Sequence, residues 1–216
     1  MTNPRTTLYV VRHGETTYHG ENRYCGSTDA PLDESGVRQA RNLARWAGGA
    51  GLTAVYSSTL SRAVDTADPC ARAAGVMPLR DERLVEVDFG QGEGLTSAEM
   101  RDQWPQERAA FERDPVAHHL PGGEDPVRAT RRGRAALDAV VSDNLGGTVL
   151  VVCHGTLLRL MVCSIAGIAL ARYRDLFPVV RNTAGFTLRY SVPGAEDTRN
   201  ASWSVLGFNV PLAVDD

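Results

Sequence analysis

The sequence predicts an α/β protein built on a mostly parallel sheet with helices on both faces. Two stretches carry the expectation: TLYVVR (Thr7–Arg12) and TVLVVC (Thr148–Cys153), each followed at once by His-Gly, at His13-Gly14 and His154-Gly155. Short β-branched runs that stay apolar mark strands buried on both faces. Strand and helix patterns then alternate up to residue 167, the order expected of parallel strands joined by crossover helices. Reactive side chains in such sheets gather at the carboxyl ends of the strands, so two histidines far apart in sequence can meet in one crevice.

The elements follow in order. A polar loop from Glu15 to Asp33 leads into a helix over Glu34–Trp46, with Val37, Ala40, Leu43, Ala44 and Ala47 on one face and Gly48-Gly49 at its end. TAVY (Thr53–Tyr56) reads as a strand, and Ser57-Ser58 as the cap of a helix over Leu60–Ala73. A short strand is expected at Arg83–Val87, before the Gly-rich turn FGQGEG. Thr96 and Glu99 have capping-box spacing. The irregular stretch from Arg101 to Leu120 reads as a helical excursion over the sheet edge. Asp125-Pro126 opens a long helix to about Ser142, with Pro at its first position. Two antiparallel strands near Gly185–Tyr190 and Ala201–Phe208 complete the sheet. There is no repeat or linker, so residues 1–216 read as one domain.

Composition narrows the chemistry. All 23 basic residues are arginine, which excludes a Schiff-base lysine, a pyridoxal-phosphate lysine and a phosphate-binding loop with its lysine. A net charge of -3 points to neither nucleic acid nor an anionic membrane as partner. The apolar stretch Val149–Leu170 is interrupted by His154, Gly155 and Arg159, so it reads as strand, turn and helix and not as a membrane span. Cys25, Cys70, Cys153 and Cys163 lack paired or metal-ligand spacing, and the first eight residues lack an apolar signal core. The expectation is a cytoplasmic protein with reduced thiols.

Four places carry candidate chemistry. Arg12-His13 sets a phosphate clamp beside a nucleophile or base. Arg62 follows the Ser57-Ser58 turn, His154 ends the second buried strand, and Glu86 precedes the glycine turn. Two histidines and two arginines with a lone carboxylate are wrong for a metal site, where guanidinium charge would compete with the ion. They suit phosphoryl transfer: cations hold the oxygens, one histidine attacks phosphorus and a carboxylic acid protonates the leaving oxygen. By contrast, Arg131, Arg132 and Arg134 read as a solvated helix face, His118-His119 as a surface pair, and Trp104, Phe111 and Cys153 as packing.

The string Arg12-His13-Gly14-Glu15-Thr16 resembles the signature of the histidine phosphatase superfamily, also called phosphoglycerate mutase-like. The likeness runs on through Gly26, Asp29, Pro31, Leu32 and Gly36; Tyr56-Ser57-Ser58-x-Leu60-x-Arg62-Ala63; Arg83-Leu84-x-Glu86; Gly90-x-x-Glu93-Gly94; Pro121-Gly122-Gly123-Glu124; and His154-Gly155. The resemblance implies a three-layer α/β/α sandwich and a covalent phosphohistidine on His13. It implies that Arg12, Arg62 and His154 bind the phosphoryl group, that Glu86 is general acid and then base, and that no metal or other cofactor takes part.

Two positions depart from the family pattern: His19 stands where an Asn is usual, and Cys25 where a Gln is usual. With Gly26 and Glu124 they are the candidate substrate-binding residues. A neutral His19 can donate to an anion only with its proton on the correct nitrogen. Val87-Asp88-Phe89-Gly90 replaces the His-Tyr-Gly of the glycolytic mutases, and the excursion at about 94–123 is short. Both favour a phosphatase acting on a small phosphorylated metabolite over a phosphoglycerate mutase or an inactive binding module. A homodimer is consistent with the resemblance.

Overall fold

The computed structural model describes residues 4–192 and 202–212. Among these, six strands form one sheet: β1 (Arg5–Arg12), β2 (Ala54–Ser57), β3 (Pro78–Arg80), β4 (Thr148–Cys153), β5 (Gly185–Ser191) and β6 (Ser202–Phe208), in the order β3-β2-β4-β1-β5-β6. Neighbours from β3 through β1 are parallel, and β5 and β6 are antiparallel. Seven helices accompany them: α1 (Glu34–Ala47), α2 (Ser61–Ala74), α3 (Ser97–Gln103), α4 (Pro105–Arg113), α5 (Pro126–Asp143), α6 (Gly155–Ala166) and the single turn α7 (Tyr173–Leu176).

The two-residue period of the strands builds the layers. Leu8, Val10, Val149, Val151 and Cys153 face α5 and α6, packing with Leu137, Val140, Leu157, Leu158 and Met161. Val11, Val55, Leu150 and Val152 face α1 and α2, meeting Leu43, Ala47, Ala63, Ala67 and Cys70. Each fully buried Val or Leu in these faces contributes roughly 1.5–3 kcal/mol by leaving water. The central strands are therefore apolar throughout because both faces are covered, and the result is the expected three-layer sandwich. A third cluster of Phe89, Met100, Phe111 and Leu120, joined by Tyr24, Leu95 and Trp104, seats α3 and α4 over the carboxyl end of the sheet.

Local signals set several boundaries. Asp33 caps α1 by accepting from the Gly36 N–H at 2.7 Å. Thr96 and Glu99 form a reciprocal capping box on α3. Asp125 caps α5, whose first residue is Pro126. Two expectations fail. Ser58 does not cap α2: Leu60 occupies that position, and the Ser58 hydroxyl instead bonds the His154 ring at 2.7 Å. Arg83–Val87 is not a strand: Glu82–Leu84 forms a 3-10 turn, and the neighbour of β2 is β3. The reason is visible in the acceptors, because the Arg83, Val85 and Glu86 carbonyls are all taken by the Arg132 guanidinium. The expected start at Ala201, like the ends of the expected 1–216 domain, lies outside the described residues. Among those described, no helix is long and apolar enough to cross a membrane.

Candidate active site

The β1/β4 pairing brings the two histidines together. Arg12 is in register with Cys153, and the His13 N–H donates to the Cys153 carbonyl at 3.0 Å, so the strands deliver His13 and His154 side by side. Their ring centroids lie 5.1 Å apart. Both residues are buried, His13 5 % exposed and His154 fully covered. His13 Nδ1 lies 2.7 Å from the Gly14 carbonyl. A carbonyl only accepts, so the proton is assigned to Nδ1, and Nε2 keeps its lone pair. Burial, and then the charges of Arg12 and Arg62, hold the His13 pKa well below the ordinary 6.5. His154 is shifted the same way, first by burial and then by Arg62 and His13. Both imidazoles are therefore neutral at neutral pH. His154 Nε2 is engaged by Ser58, while its buried Nδ1 has no partner.

Glu86 is held from 70 residues away. Its Oε1 accepts from the Val87 and Leu157 N–H groups and its Oε2 from the Thr156 N–H, each at 2.9 Å. Thr156 and Leu157 lie in the first turn of α6, where N–H groups have no partner within the helix, so Glu86 caps that helix. A carboxylate oxygen offers two lone pairs. Both are used on Oε1 and one is left on Oε2, which makes Oε2 the atom that can carry an exchangeable proton. Both oxygens thus cap α6, and Oε2 alone keeps a lone pair for a proton.

Arg62 is fully buried at the start of α2. Its terminal nitrogens donate to the Thr28 and Gly26 carbonyls at 2.7 Å, and its Nε has no partner. The N–H groups of the same loop, at Gly26, Ser27 and Thr28, donate to Glu93 at 2.9, 3.1 and 3.2 Å, and the Phe89 N–H donates to it at 2.9 Å. The loop passes so close to Val87 and Glu93 that a Cβ on Gly26 would collide with both. Gly26 therefore serves by its backbone. The Cys25 thiol donates to the Thr28 carbonyl, and burial raises its pKa, so it lines the cavity as an uncharged thiol.

Arg12 donates to the Val180 carbonyl at 3.0 Å and contacts His19 Nε2 at 2.6 Å. The Thr16 N–H and hydroxyl meet His19 Nδ1 at 3.0 and 2.8 Å. Arg12 at Nε2 and the Thr16 N–H at Nδ1 can both only donate, so each ring nitrogen faces a donor and the neutral ring accepts from one of them. Burial first, then Arg12, pushes the His19 pKa down to about 4. His19 thus packs against Arg12 on the cavity wall as an uncharged ring at neutral pH. Arg12 itself is lowered to about 10, mainly by burial, with Arg159 and Arg62 adding repulsion.

A cavity of about 810 Å³ opens over these groups. Arg12, His13, His19, Cys25 and Glu86 line it together with Tyr18, Tyr24, Thr156, Arg159 and Arg174. His154 and Arg62 sit behind that wall. Glu124 is a correction: its carboxylate is paired with Arg132 at 2.7 and 2.8 Å and does not line the cavity. Arg132 is a second one, since it clamps the backbone of residues 83–86 where a solvated face was expected. Glu93 carries no sequence signal beyond its place in the Gly90-x-x-Glu93-Gly94 string. Among the described residues, no group of three or more His, Cys, Asp or Glu is placed to hold a metal ion.

Known proteins resemble this chain in sequence and in fold. The family model of the histidine phosphatase superfamily (branch 1) matches residues 8–196. The chain is 40% identical over 188 residues to the bifunctional protein Rv2228c of Mycobacterium tuberculosis, covering 79% of this chain and 48% of that protein. The chain thus spans about half the length of that relative. It is 30% identical over 166 residues to phosphoserine phosphatase 1 of Hydrogenobacter thermophilus, covering 77% and 79% of the two chains. The solved structure of the mycobacterial glucosyl-3-phosphoglycerate phosphatase Rv2419c superposes with a TM-score of 0.79 at 27% identity, over 96% of this chain and 99% of that one.

Proposed function

The chain belongs to the histidine phosphatase superfamily (branch 1), and from that premise we propose that it hydrolyses a small phosphomonoester through a phosphohistidine on His13. The observation that carries the reading is the Gly14 carbonyl on His13 Nδ1, which leaves Nε2 unprotonated on the wall of the cavity. In the first step Nε2 attacks phosphorus, and the P–O bond to the leaving alcohol breaks as Glu86 Oε2 gives that oxygen a proton. In the second step ionised Glu86 takes a proton from water, the resulting hydroxide attacks phosphorus, and the P–N bond breaks to release inorganic phosphate. Arg12 and Arg62 stabilise the charge gathered on the equatorial oxygens. A dianionic phosphoryl group also favours protonation of His154, whose unpartnered Nδ1 then donates to it.

The test is phosphate release from a panel of small phosphomonoesters with chelator present, comparing the unaltered protein with His13→Ala. Release that disappears in the variant, with a phosphoenzyme trapped only in the unaltered protein, is the expected result. Release that survives His13→Ala overturns the mechanism. Transfer of the phosphoryl group between phosphoglycerates without release would assign a mutase instead.

A further inference from the structure

We propose that Asn182 is a positioning residue for the reaction: its side-chain amide fixes the peptide plane that joins His13 to Gly14, and so holds the His13 ring in the tautomer that attack requires. The proposal rests on the phosphatase reading above and deepens it by bringing in a residue outside the cavity.

Three successive carbonyls each take a donor here. The Arg12 carbonyl accepts from the Thr183 N–H at 2.8 Å, the His13 carbonyl from Asn182 Nδ2 at 2.8 Å, and the Gly14 carbonyl from His13 Nδ1 at 2.7 Å. A carbonyl only accepts, so the Asn182 amide is oriented with Nδ2 toward it. The middle bond governs the last. The His13 carbonyl and the Gly14 N–H are two ends of one rigid peptide plane. Asn182 holds the first end, and the buried Thr66 hydroxyl accepts from the second at 3.0 Å. The next residue along is Gly14 itself, which lacks a Cβ to restrict its own torsions. Loss of the Asn182 bond leaves the plane held at one end only. The Gly14 carbonyl can then swing off Nδ1, and the ring proton is free to move to Nε2, where it blocks attack.

The segment carrying Asn182 is itself braced. It runs between α7 and β5, and Thr183 stands at φ 56°, a left-handed conformation that β-branched residues rarely adopt. Such strain persists only where the surroundings over-determine the backbone. They do so here. Arg12 Nη1 donates to the Val180 carbonyl and the Arg12 N–H to the Ala184 carbonyl, both at 3.0 Å, while Asn209 Oδ1 accepts from the Arg181 N–H at 2.8 Å. The turn at Thr183 lets one segment reach two consecutive carbonyls, with its own N–H and with the side chain before it. Asn182 works from behind the site: it lines a second cavity, of about 340 Å³, and not the one over His13.

The test compares Asn182→Ala with the unaltered protein on two oxyanions and on turnover. Orthovanadate takes up the five-coordinate geometry of a phosphoryl group in transfer. It should bind the variant about 10- to 100-fold more weakly, the size expected when a reacting group is misplaced by about 1 Å. Inorganic phosphate binding should change by less than about threefold. Turnover should show kcat falling with the orthovanadate affinity and KM little altered. The denaturant midpoint should stay near that of the unaltered protein, because water from the second cavity can take the His13 carbonyl without fixing its direction. Asn182→Gln, which keeps the donor on a longer arm, should recover part of the loss. Asn182→Ser, whose donor is too short to reach, replaces the alanine variant if that fails to fold. Unchanged orthovanadate binding and kcat overturn the proposal. So does an equal weakening of both oxyanions with a lowered midpoint, the mark of structural damage alone. Phosphate release and phosphoenzyme trapping in the unaltered protein bear on the phosphatase reading, so the two can fail separately.

Discussion

Arg62 and Glu93 hold one short loop by its opposite polarities: the guanidinium takes the Gly26 and Thr28 carbonyls, and the carboxylate takes the Gly26, Ser27 and Thr28 N–H groups. Neither grip is replaceable by water once the loop is packed against Val87. Glu93→Ala should therefore leave several N–H groups without an acceptor and destabilise the fold by about 2–3 kcal/mol. Glu93→Gln, which keeps one acceptor oxygen, should lose less. Denaturant midpoints at constant m-value check both, and a neutral Glu93→Ala would show that the loop does not depend on the carboxylate.

Arg132 has the same character on the other side of the cavity. It holds three carbonyls of the segment carrying Glu86 and is itself held by Glu124. Arg132→Ala should cost about 2–4 kcal/mol, because partly buried carbonyls and a carboxylate lose their donor together. Glu124→Gln should cost under about 1 kcal/mol, since Arg132 keeps its backbone acceptors. Equal, small effects would mean that Arg132 is the solvated helix residue its sequence suggested.

A proton carried on the free lone pair of Glu86 Oε2 has a kinetic signature. Glu86→Gln keeps an acceptor for the α6 N–H groups but has no proton to give. Turnover of alkyl phosphates, which need a protonated leaving group, should fall by about 100-fold or more. Aryl phosphates with good leaving groups should lose far less in the first step. An equal loss for both classes would leave Glu86 with its capping role alone.

Protonation of the buried histidines sets the acid limit of the fold. His13, His19 and His154 all have pKa values below the ordinary 6.5 of the unfolded chain. As pH falls through 6.5 the unfolded chain takes up protons that the folded chain refuses, so the stability present above pH 6.5 is lost on acidification. The slope should be up to about 1.4 kcal/mol per pH unit for each histidine. For His19 the loss ends near its folded value of about 4, and for the other two it continues below the ordinary histidine range. Melting temperatures between pH 8 and pH 4 should decline below pH 6.5, and less steeply in His19→Asn. A flat profile would contradict the burial that causes all three shifts.

For the same reason His19→Asn should not alter the pH dependence of turnover between pH 6 and 8, because His19 is uncharged throughout that range. A change in that interval would place the His19 titration far above about 4.

What the sequence disclosed and what it withheld divides along distance in the chain. Strands β1 and β4 were legible because burial on both faces leaves an uninterrupted apolar run. The caps at Thr96 and Asp125 were legible because capping is a contact over two or three residues. Arg132 and Glu93 were not, because their partners lie far off and on the backbone, where no side-chain pattern betrays them. A signal for Arg132 did exist: it falls three residues after Ala129 and four before Ala136, on the buried stripe of α5. The segment 83–87 misled for the matching reason, its strand-like composition being overruled by a guanidinium that claims its carbonyls. His19 and Cys25 stood out in the sequence as departures from the pattern it resembles. Only the structure assigns His19 to Arg12, and nothing in the sequence discloses that Glu124 is spent on Arg132.

The pairing of β1 with β4 also governs when the site can exist. His13 is near the start of the chain and His154 more than 140 residues later, and they become neighbours only when those two strands lie side by side. Contacts of such long sequence separation form slowly, after the cost of closing the intervening loop has been met. A ribosome that has released β1, α1, β2 and α2 has made part of the cavity wall and none of its paired imidazoles. Activity is therefore among the last properties the growing chain acquires, and it arrives with the strand that completes the parallel sheet.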